Sequence, residues 1–234
     1  MSEALDKVRG VYELPLFPLP LVLFPGVPLP LHIFEERYRR LLDDVRVSNN
    51  LFGLSYFDPN AFGAGERPAA GHVGCATEVL EVQTMPDGRS NILTVGVVRY
   101  RVTEYVEGGE PYLIARVEFF EDEGGDAVVL RKRADEVAEM FTRIASAMRS
   151  INDERGGLPE LPLEDPERLS FLVAAVVEME ADAKQQLLEL RSTAERLRRV
   201  YTLLAQAVSS YEERARTHEL ARGNGHGGKR IDLE

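Results

Sequence analysis

The rhythm of hydrophobic and polar positions changes once along this chain, near Asp126. Before that point, short apolar runs are punctuated by Gly and Pro, the texture of strands and turns. Tyr12 to Leu16 and Val27 to Ile33 are two predicted strands, and both carry proline. Proline has no N–H to give to a ladder, so these runs are expected at an edge or a bulge. Leu51 to Phe57 predicts a third strand and His72 to Met85 a long fourth. In the fourth, Val73, Cys75, Thr77 and Val79 alternate with Gly74, Ala76, Glu78 and Leu80, which predicts one drier face. Met85-Pro86-Asp87-Gly88 predicts a turn, because proline presets φ at its second position and glycine accepts a positive φ. Ile92 to Val106 returns as a fifth strand, and Tyr112 to Glu121 is a sixth. One predicted helix interrupts this region. Phe34, Tyr38, Leu41, Leu42 and Val45 share a helical face, with Glu35, Glu36, Arg39, Arg40, Asp43 and Asp44 largely off it.

Beyond the acidic, glycine-bearing link from Glu121 to Asp126 the period is helical. Val137, Met140, Phe141, Ile144 and Met148 form one stripe. Asp165-Pro166 has the chemistry of a helix start, an N-cap acid followed by a first-turn proline. Leu169, Leu172, Val173, Val176 and Val177 are the expected buried face of that helix. Asp182-x-x-Gln185 and Ser192-x-x-Glu195 both have capping-box spacing, which predicts a short helix joined tightly to a longer one. The longer one carries Leu197, Tyr201, Leu204 and Val208 on one face. After Tyr211 the apolar face is lost, and Gly223 to Gly228 is expected to be disordered. The chain is therefore read as α+β: an N-terminal extension (1–11), a sheet region (12–125), a helical bundle (126–212) and a tail (213–234). No internal repeat is visible.

Composition adds bounds. At 234 residues with 44% hydrophobic content, the chain can bury a core without disulfides or metals. The longest apolar stretch, Leu14 to Ile33, contains six prolines and cannot be a membrane helix. The polar N-terminus lacks the features of a signal peptide, and a lone Cys75 fits a reducing compartment. Both point to the cytoplasm. The net charge of −11 repels phosphate backbones over the surface as a whole and argues against generic nucleic-acid binding.

Four blocks of sequence carry a family resemblance. The first is Leu14-Pro15-Leu16-Phe17-Pro18-Leu19-Pro20-Leu21-Val22-Leu23-Phe24-Pro25-Gly26-Val27-Pro28-Leu29-Pro30-Leu31, continued by His32-Ile33-Phe34-Glu35-Glu36-Arg37-Tyr38. The second runs from Gly71 through Asp87-Gly88-Arg89 to Gly96-Val97-Val98-Arg99-Tyr100-Arg101. The third is Asp182-Ala183-Lys184-Gln185-Gln186-Leu187-Leu188-Glu189, and the fourth Ala194-Glu195-Arg196-Leu197. In this order, over roughly residues 12 to 210, they resemble the substrate-binding domain of Lon proteases, and especially its stand-alone bacterial members. The resemblance implies a PUA-like, partly open β-barrel with one inserted helix, followed by a helical bundle. It implies binding of exposed protein or peptide segments, as an adaptor or regulator of proteolysis. Unfolded or hydrophobic protein segments are the expected ligands, with a protease or chaperone as partner and homo-oligomerisation left open. The ATPase and serine-lysine peptidase of full Lon proteases have no counterpart in the sequence, so no enzymatic activity is expected.

Catalytic chemistry is sparse in the residues themselves. No P-loop is present; Gly227-Gly228-Lys229-Arg230 is the nearest text and falls in the expected tail. No Gly-x-Ser-x-Gly elbow occurs. His32, His72, His218 and His226 are isolated in sequence and Cys-x-x-Cys is absent, so neither a metal nor a cofactor is expected. Cys75 reads as a small hydrophobe. The basic runs at Arg37 to Arg40, Arg131 to Arg133 and Arg196 to Arg199 read as solvated helix faces. The rival is an RNA contact on a PUA-like barrel, which rests on fold analogy. The feature that points to binding is the apolar surplus around the prolines. Phe17, Leu19, Leu21, Leu23, Phe24 and Pro25, with Phe34 and Tyr38, are the candidate peptide-binding residues. An edge there could accept an extended peptide as an added strand. The competing reading makes the same residues ordinary core under the helices.

Overall fold

The computed structural model describes residues 2–57, 67–154, 157–158 and 160–224. The apolar runs form six strands, β1 (Glu13–Leu19), β2 (Pro28–Ile33), β3 (Leu51–Tyr56), β4 (Val73–Thr84), β5 (Ser90–Val106) and β6 (Leu113–Phe120). Among the described residues six helices accompany them: α1 (Glu3–Lys7), α2 (Glu36–Arg46), α3 (Ala127–Ile151), α4 (Pro166–Val176), α5 (Ala181–Glu189) and α6 (Thr193–Asn224). The fold is α+β, as the patterning predicts.

The strands make one mixed sheet in the order β2-β5-β4-β3-β1-β6, and β5 also pairs with β6. The long β5 makes this possible. One flank of it pairs with β4, while the other pairs with β2 over Ser90 to Val95 and with β6 over Arg99 to Val106. Register shifts beside Val97 and Thr103 bend the strand between partners, which is what a bulge does. The sheet therefore turns back on itself but leaves β2 as a flap outside the ring, a mixed six-stranded sheet rather than a clean barrel. At the change of partner, the Gly26 N–H donates to Gly96 O (2.8 Å) and the Gly96 N–H donates to Val27 O (3.1 Å). A Cβ on Gly96 would stand 2.3 Å from Phe24 O, so only glycine lets the two backbones approach this closely.

Strand β1 corrects a second expectation. It lies between β3 and β6 rather than at an edge. Its pairing with β3 covers Leu16 to Leu19 and its pairing with β6 covers Glu13 to Leu16, so the two overlap only at Leu16. Pro15 and Pro18 each sit where one flank of the strand is unpaired, and an interior strand tolerates them for that reason. In β4 the expected alternation begins only at Glu78, because Val73 to Thr77 are buried on both faces. The turn at Met85 to Gly88 forms as predicted: the Gly88 N–H donates to Met85 O (2.9 Å) and Gly88 adopts φ +80°.

Two apolar clusters result. One gathers Phe17, Leu23, Ile33, Phe52, Leu54, Cys75, Val79 and Ile92 with Tyr38, Leu41, Leu42 and Val45 of α2. The other gathers Leu14, Leu16, Tyr100, Val102, Ala115 and Val117 with Val8, which follows α1.

The chain divides into two compact units, residues Met1–Gly124 with Phe171–Ser192 and residues Gly125–Ser170 with Thr193–Glu234. One unit boundary, after Gly124, falls within a residue of the one expected at 125, while no unit boundary falls at 11 or 212. The first eleven residues contribute α1 and buried Val8 to the sheet unit. Residues 171–192 belong with the sheet rather than with the helices, and specific bonds explain why. The Gln185 side-chain amide donates to Val73 O (2.9 Å). Arg99, 1% exposed, donates to Leu188 O (3.1 Å), to Leu190 O and to the buried Asp122 carboxylate. Its guanidinium lies 4.6 Å from the Phe120 ring centre and 5.2 Å from that of Phe171.

In the helical unit α3 and α6 run parallel, with Arg143 paired to Glu212 and Ser150 bonded to Glu219. The α3 seam is Ala134, Val137, Ala138, Ile144 and Ala147, whereas Met148 of the predicted stripe is exposed. Small residues take the seam because they let the helix backbones approach. Asp165 caps α4 as predicted, accepting from the Arg168 N–H at 2.9 Å, but Val176 ends that helix exposed. The predicted box at Asp182 is not used, since Gln185 is spent on Val73 and Glu189. Helix α6 continues to Asn224, past the expected start of the tail; residues 225–228 of the predicted disordered stretch lie outside the described residues.

Substituting Arg99→Met would take the guanidinium away from the buried Asp122 carboxylate. Stability should fall by about 3–5 kcal/mol, read as a lower urea midpoint, and Arg99→Met with Asp122→Leu should recover most of the loss. An unchanged midpoint in the single variant would remove the clamp from the account of stability.

Candidate functional site

The eight candidate residues separate by burial. Phe17, Leu23, Phe24 and Tyr38 are core. The Phe17 ring lies 4.0 Å from Tyr38 and 6.1 Å from Phe52, and the Phe24 ring lies 6.0 Å from Phe171. For these four the competing reading holds: side chains already packed on neighbours have no face left for a ligand. Leu19, Leu21 and Pro25 are half-buried, and Phe34 is 60% exposed. Phe34 precedes α2 instead of joining its buried face, and its ring stacks 5.9 Å from His32.

What remains accessible is a strip along the rim of the α2-side core. Leu19, Leu21, Val27, Leu29, Leu31, Val82 and Tyr112 pack partly against that core and stay partly open. Period 2 explains the share of β2: Leu29 and Leu31 point toward the core beside buried Ile33, while Pro28, Pro30 and His32 point to solvent. Val82 and Tyr112 escaped the reading of the sequence. Strict alternation in β4 would point to Glu81, and only the register shift between Val79 and Glu81 brings Val82 to this face; nothing local marks Tyr112, which is placed by its bond to Asp44 Oδ2 (2.8 Å).

The backbone of the β2 edge is fixed by register. The Gly96 N–H donates to Val27 O, and the Thr94 hydroxyl donates to Leu29 O at 2.8 Å. With Val27 and Leu29 facing β5, the alternation turns Leu31 and Ile33 toward β5 and Pro28, Pro30 and His32 outward. The outward flank therefore offers carbonyls at Pro28 and Pro30 but no N–H there. Strand addition, expected from the sequence, meets an edge that lacks donors at Pro28 and Pro30 and keeps the outward N–H of His32.

The remaining chemistry is structural. Among the described residues no group of three or more His, Cys, Asp or Glu side chains is placed to hold a metal ion. His32 Nδ1 bonds Asn91 Oδ1 (2.7 Å) and His218 Nε2 approaches Asp153 (3.3 Å), while His226 and Gly227 to Arg230 lie outside the described residues. Cys75 is buried, which pushes its thiol up to about 12. Burial holds His72 below its ordinary value, with the Glu189 carboxylate pulling weakly the other way. Exposed arginines are interleaved with acids: Arg37 with Glu35, Arg40 with Asp44, Arg89 with Asp87, Arg131 with Asp135 and Glu164, Arg198 with Glu195. Arg196 is not a solvated residue as read from its run; it is buried and donates to Ser170 Oγ (2.7 Å).

Comparison with known proteins places this geometry. The family model of the ATP-dependent protease La (LON) substrate-binding domain matches residues 13–206. A Lon protease of Azospirillum brasilense is 28% identical over 209 residues, covering 86% of this chain and 25% of that protein. Lon protease 2 of Thermus thermophilus is 31% identical over 147 residues, covering 63% of this chain and 18% of its own length. The chain thus spans about a quarter or less of these relatives. The crystal structure of a Lon N-terminal domain protein from Xanthomonas campestris shares the fold at TM-score 0.59 and 20% identity, covering 82% of this chain and 98% of that one. The N-terminal domain of a Mycobacterium avium complex Lon protease aligns at TM-score 0.59 and 16% identity, with the same coverage.

Two outcomes follow from the titrating groups. His72, depressed when folded, contributes stability that is complete above its unfolded value near 6.5 and is lost as pH falls through the folded value. Urea titrations at about pH 7.5 and about pH 5 should show a smaller acid loss for His72→Gln than for the parent; equal losses would contradict this. Cys75 should react with a thiol reagent only as the protein unfolds, and rapid labelling of the native protein would refute its burial.

Proposed function

Because this chain belongs to the LON substrate-binding family, whose model spans residues 13–206, we propose that it is a non-catalytic module that binds exposed apolar segments of other proteins. The observation that carries this reading is the half-open strip of Leu19, Leu21, Val27, Leu29 and Leu31 on the rim of the core, with exposed Phe34 nearby in sequence. Such side chains lose water contact only when something covers them, and an unfolded segment with its own Leu, Val or Phe residues supplies the cover. Folded proteins keep those residues inside, so the strip distinguishes unfolded clients from folded ones without reading a sequence. No charged group lies among these five strip residues, so binding by the strip should depend little on salt.

The role assigned is that of an adaptor or regulator of proteolysis. The module holds a client segment, and a protease or chaperone partner acts on it. The relatives it matches are named Lon proteases, which supports this direction, and a cytoplasmic setting fits the lone, buried thiol. The RNA-binding alternative has less support, because exposed Arg37, Arg40, Arg89 and Arg198 each stand beside an acid that offsets their charge.

The test is fluorescence anisotropy with a labelled peptide rich in Leu and Phe. Full burial of a leucine side chain is worth about 1.5–3 kcal/mol, and part of that remains to be gained at Leu29 and Leu31. Leu29→Ser with Leu31→Ser should therefore weaken binding by about tenfold or more. Leu80→Ser, at a 51% exposed position on the β4 bulge and outside the strip, should leave it unchanged. Equal affinities for the two variants would move the site elsewhere.

A further inference from the structure

Resting on the peptide-binding reading above, we infer that client segments are recognised by their side chains alone and that the β2 edge is built to refuse their backbone. The argument starts from register. Leu29, Leu31 and Ile33 turn their backbone groups toward β5, opposite Thr94, Ile92 and Ser90. Pro28 and Pro30 face the open flank, each presenting a carbonyl and a ring nitrogen without a proton. An added antiparallel strand exchanges two bonds with every second residue of its host. Along this flank a client could donate to Pro28 O and Pro30 O but would find no donor for its own carbonyls at those two positions; the one outward N–H of the strand is that of His32, at its far end. Those carbonyls would leave water unpaired, at about 1–3 kcal/mol each, which outweighs the roughly 1 kcal/mol gained per bond formed.

The side chains of the same strand say the opposite. Leu29 and Leu31 stay half-open on the core-facing side and continue into Leu19, Leu21 and Val27. The strand is thus adhesive through its side chains, while its outer backbone lacks donors at Pro28 and Pro30. The ligand class that fits is a polypeptide of any backbone hydrogen-bonding capacity, prolines and irregular loops included, that carries apolar side chains in reach of the strip. A strand-adding site would reject such clients, because a proline in the ligand would break the ladder.

The experiment compares a labelled Leu- and Phe-rich peptide with the same peptide N-methylated at alternate residues, which deletes N–H groups while keeping every side chain. The parent protein should bind both within about threefold. A loss of about tenfold or more on N-methylation would overturn the inference while leaving the peptide-binding reading intact. Absence of binding by both peptides would remove that reading and the inference with it. The companion variant, Pro28→Val with Pro30→Val, restores two outward N–H groups. If folded by circular dichroism, it should favour the unmethylated peptide by about tenfold. A ratio unchanged from the parent protein would show that the prolines are not what keeps the backbone out.

Discussion

The architecture of the sheet unit depends on one buried cation. Three peptide connections link this unit to the helical one, at Gly124–Gly125, Ser170–Phe171 and Ser192–Thr193. Arg99 touches the chain close to all three: it pairs with Asp122, bonds Leu188 O and Leu190 O, and lies against the Phe171 ring. Burying a guanidinium costs several kcal/mol unless its charge and donors are met. Here a carboxylate, two carbonyls and two aromatic faces meet them, and the end of α5 gains a cation where its macrodipole favours one. An ion pair in this setting contributes less net stability than specificity. It ties the segment 171–192 to one place against the sheet.

The sequence carried much of this fold and little of its connectivity. All six strands, the helix after β2, the Asp87-Gly88 turn and the pairing of a short α5 with a long α6 were readable from period and turn chemistry. The sequence blocks that gave the family resemblance prove to be the parts that touch: Gly96 meets the Phe24 to Val27 turn, and Arg99 of the same block grips the Leu188 end of the Lys184-Gln185 block. What was not readable is what long-range contact decides. Pro15 and Pro18 argued for an edge, and only the half-and-half pairing of β1 with β3 and β6 explains an interior strand. Gln185 had capping-box spacing, but its amide serves Val73 across a separation of 112 residues.

The site shows the same division more sharply. An apolar surplus was visible in the first block, but composition cannot tell which half of it is core. Phe17, Leu23, Phe24 and Tyr38 were plausible ligand-binding residues by type and became core because α2 and Phe171 cover them. Leu29 and Leu31 emerged because strand period sends them inward at the end of a sheet, where no further strand completes the burial.

That position creates a hazard as well as a site. A terminal strand with half-exposed leucines and a complete row of N–H and C=O groups would pair with any extended chain, a second copy of itself first of all. Proteins usually blunt such edges with charge, but charge beside this strip would raise the desolvation cost of apolar ligands. Proline removes the donors without adding charge, and it adds apolar surface. Two prolines at alternate positions, 28 and 30, act on one flank only, because period 2 keeps Leu29 and Leu31 free to bond β5. The same alternation that holds β2 in the sheet therefore removes two donors from its outer edge without taking any from the flank that pairs with β5.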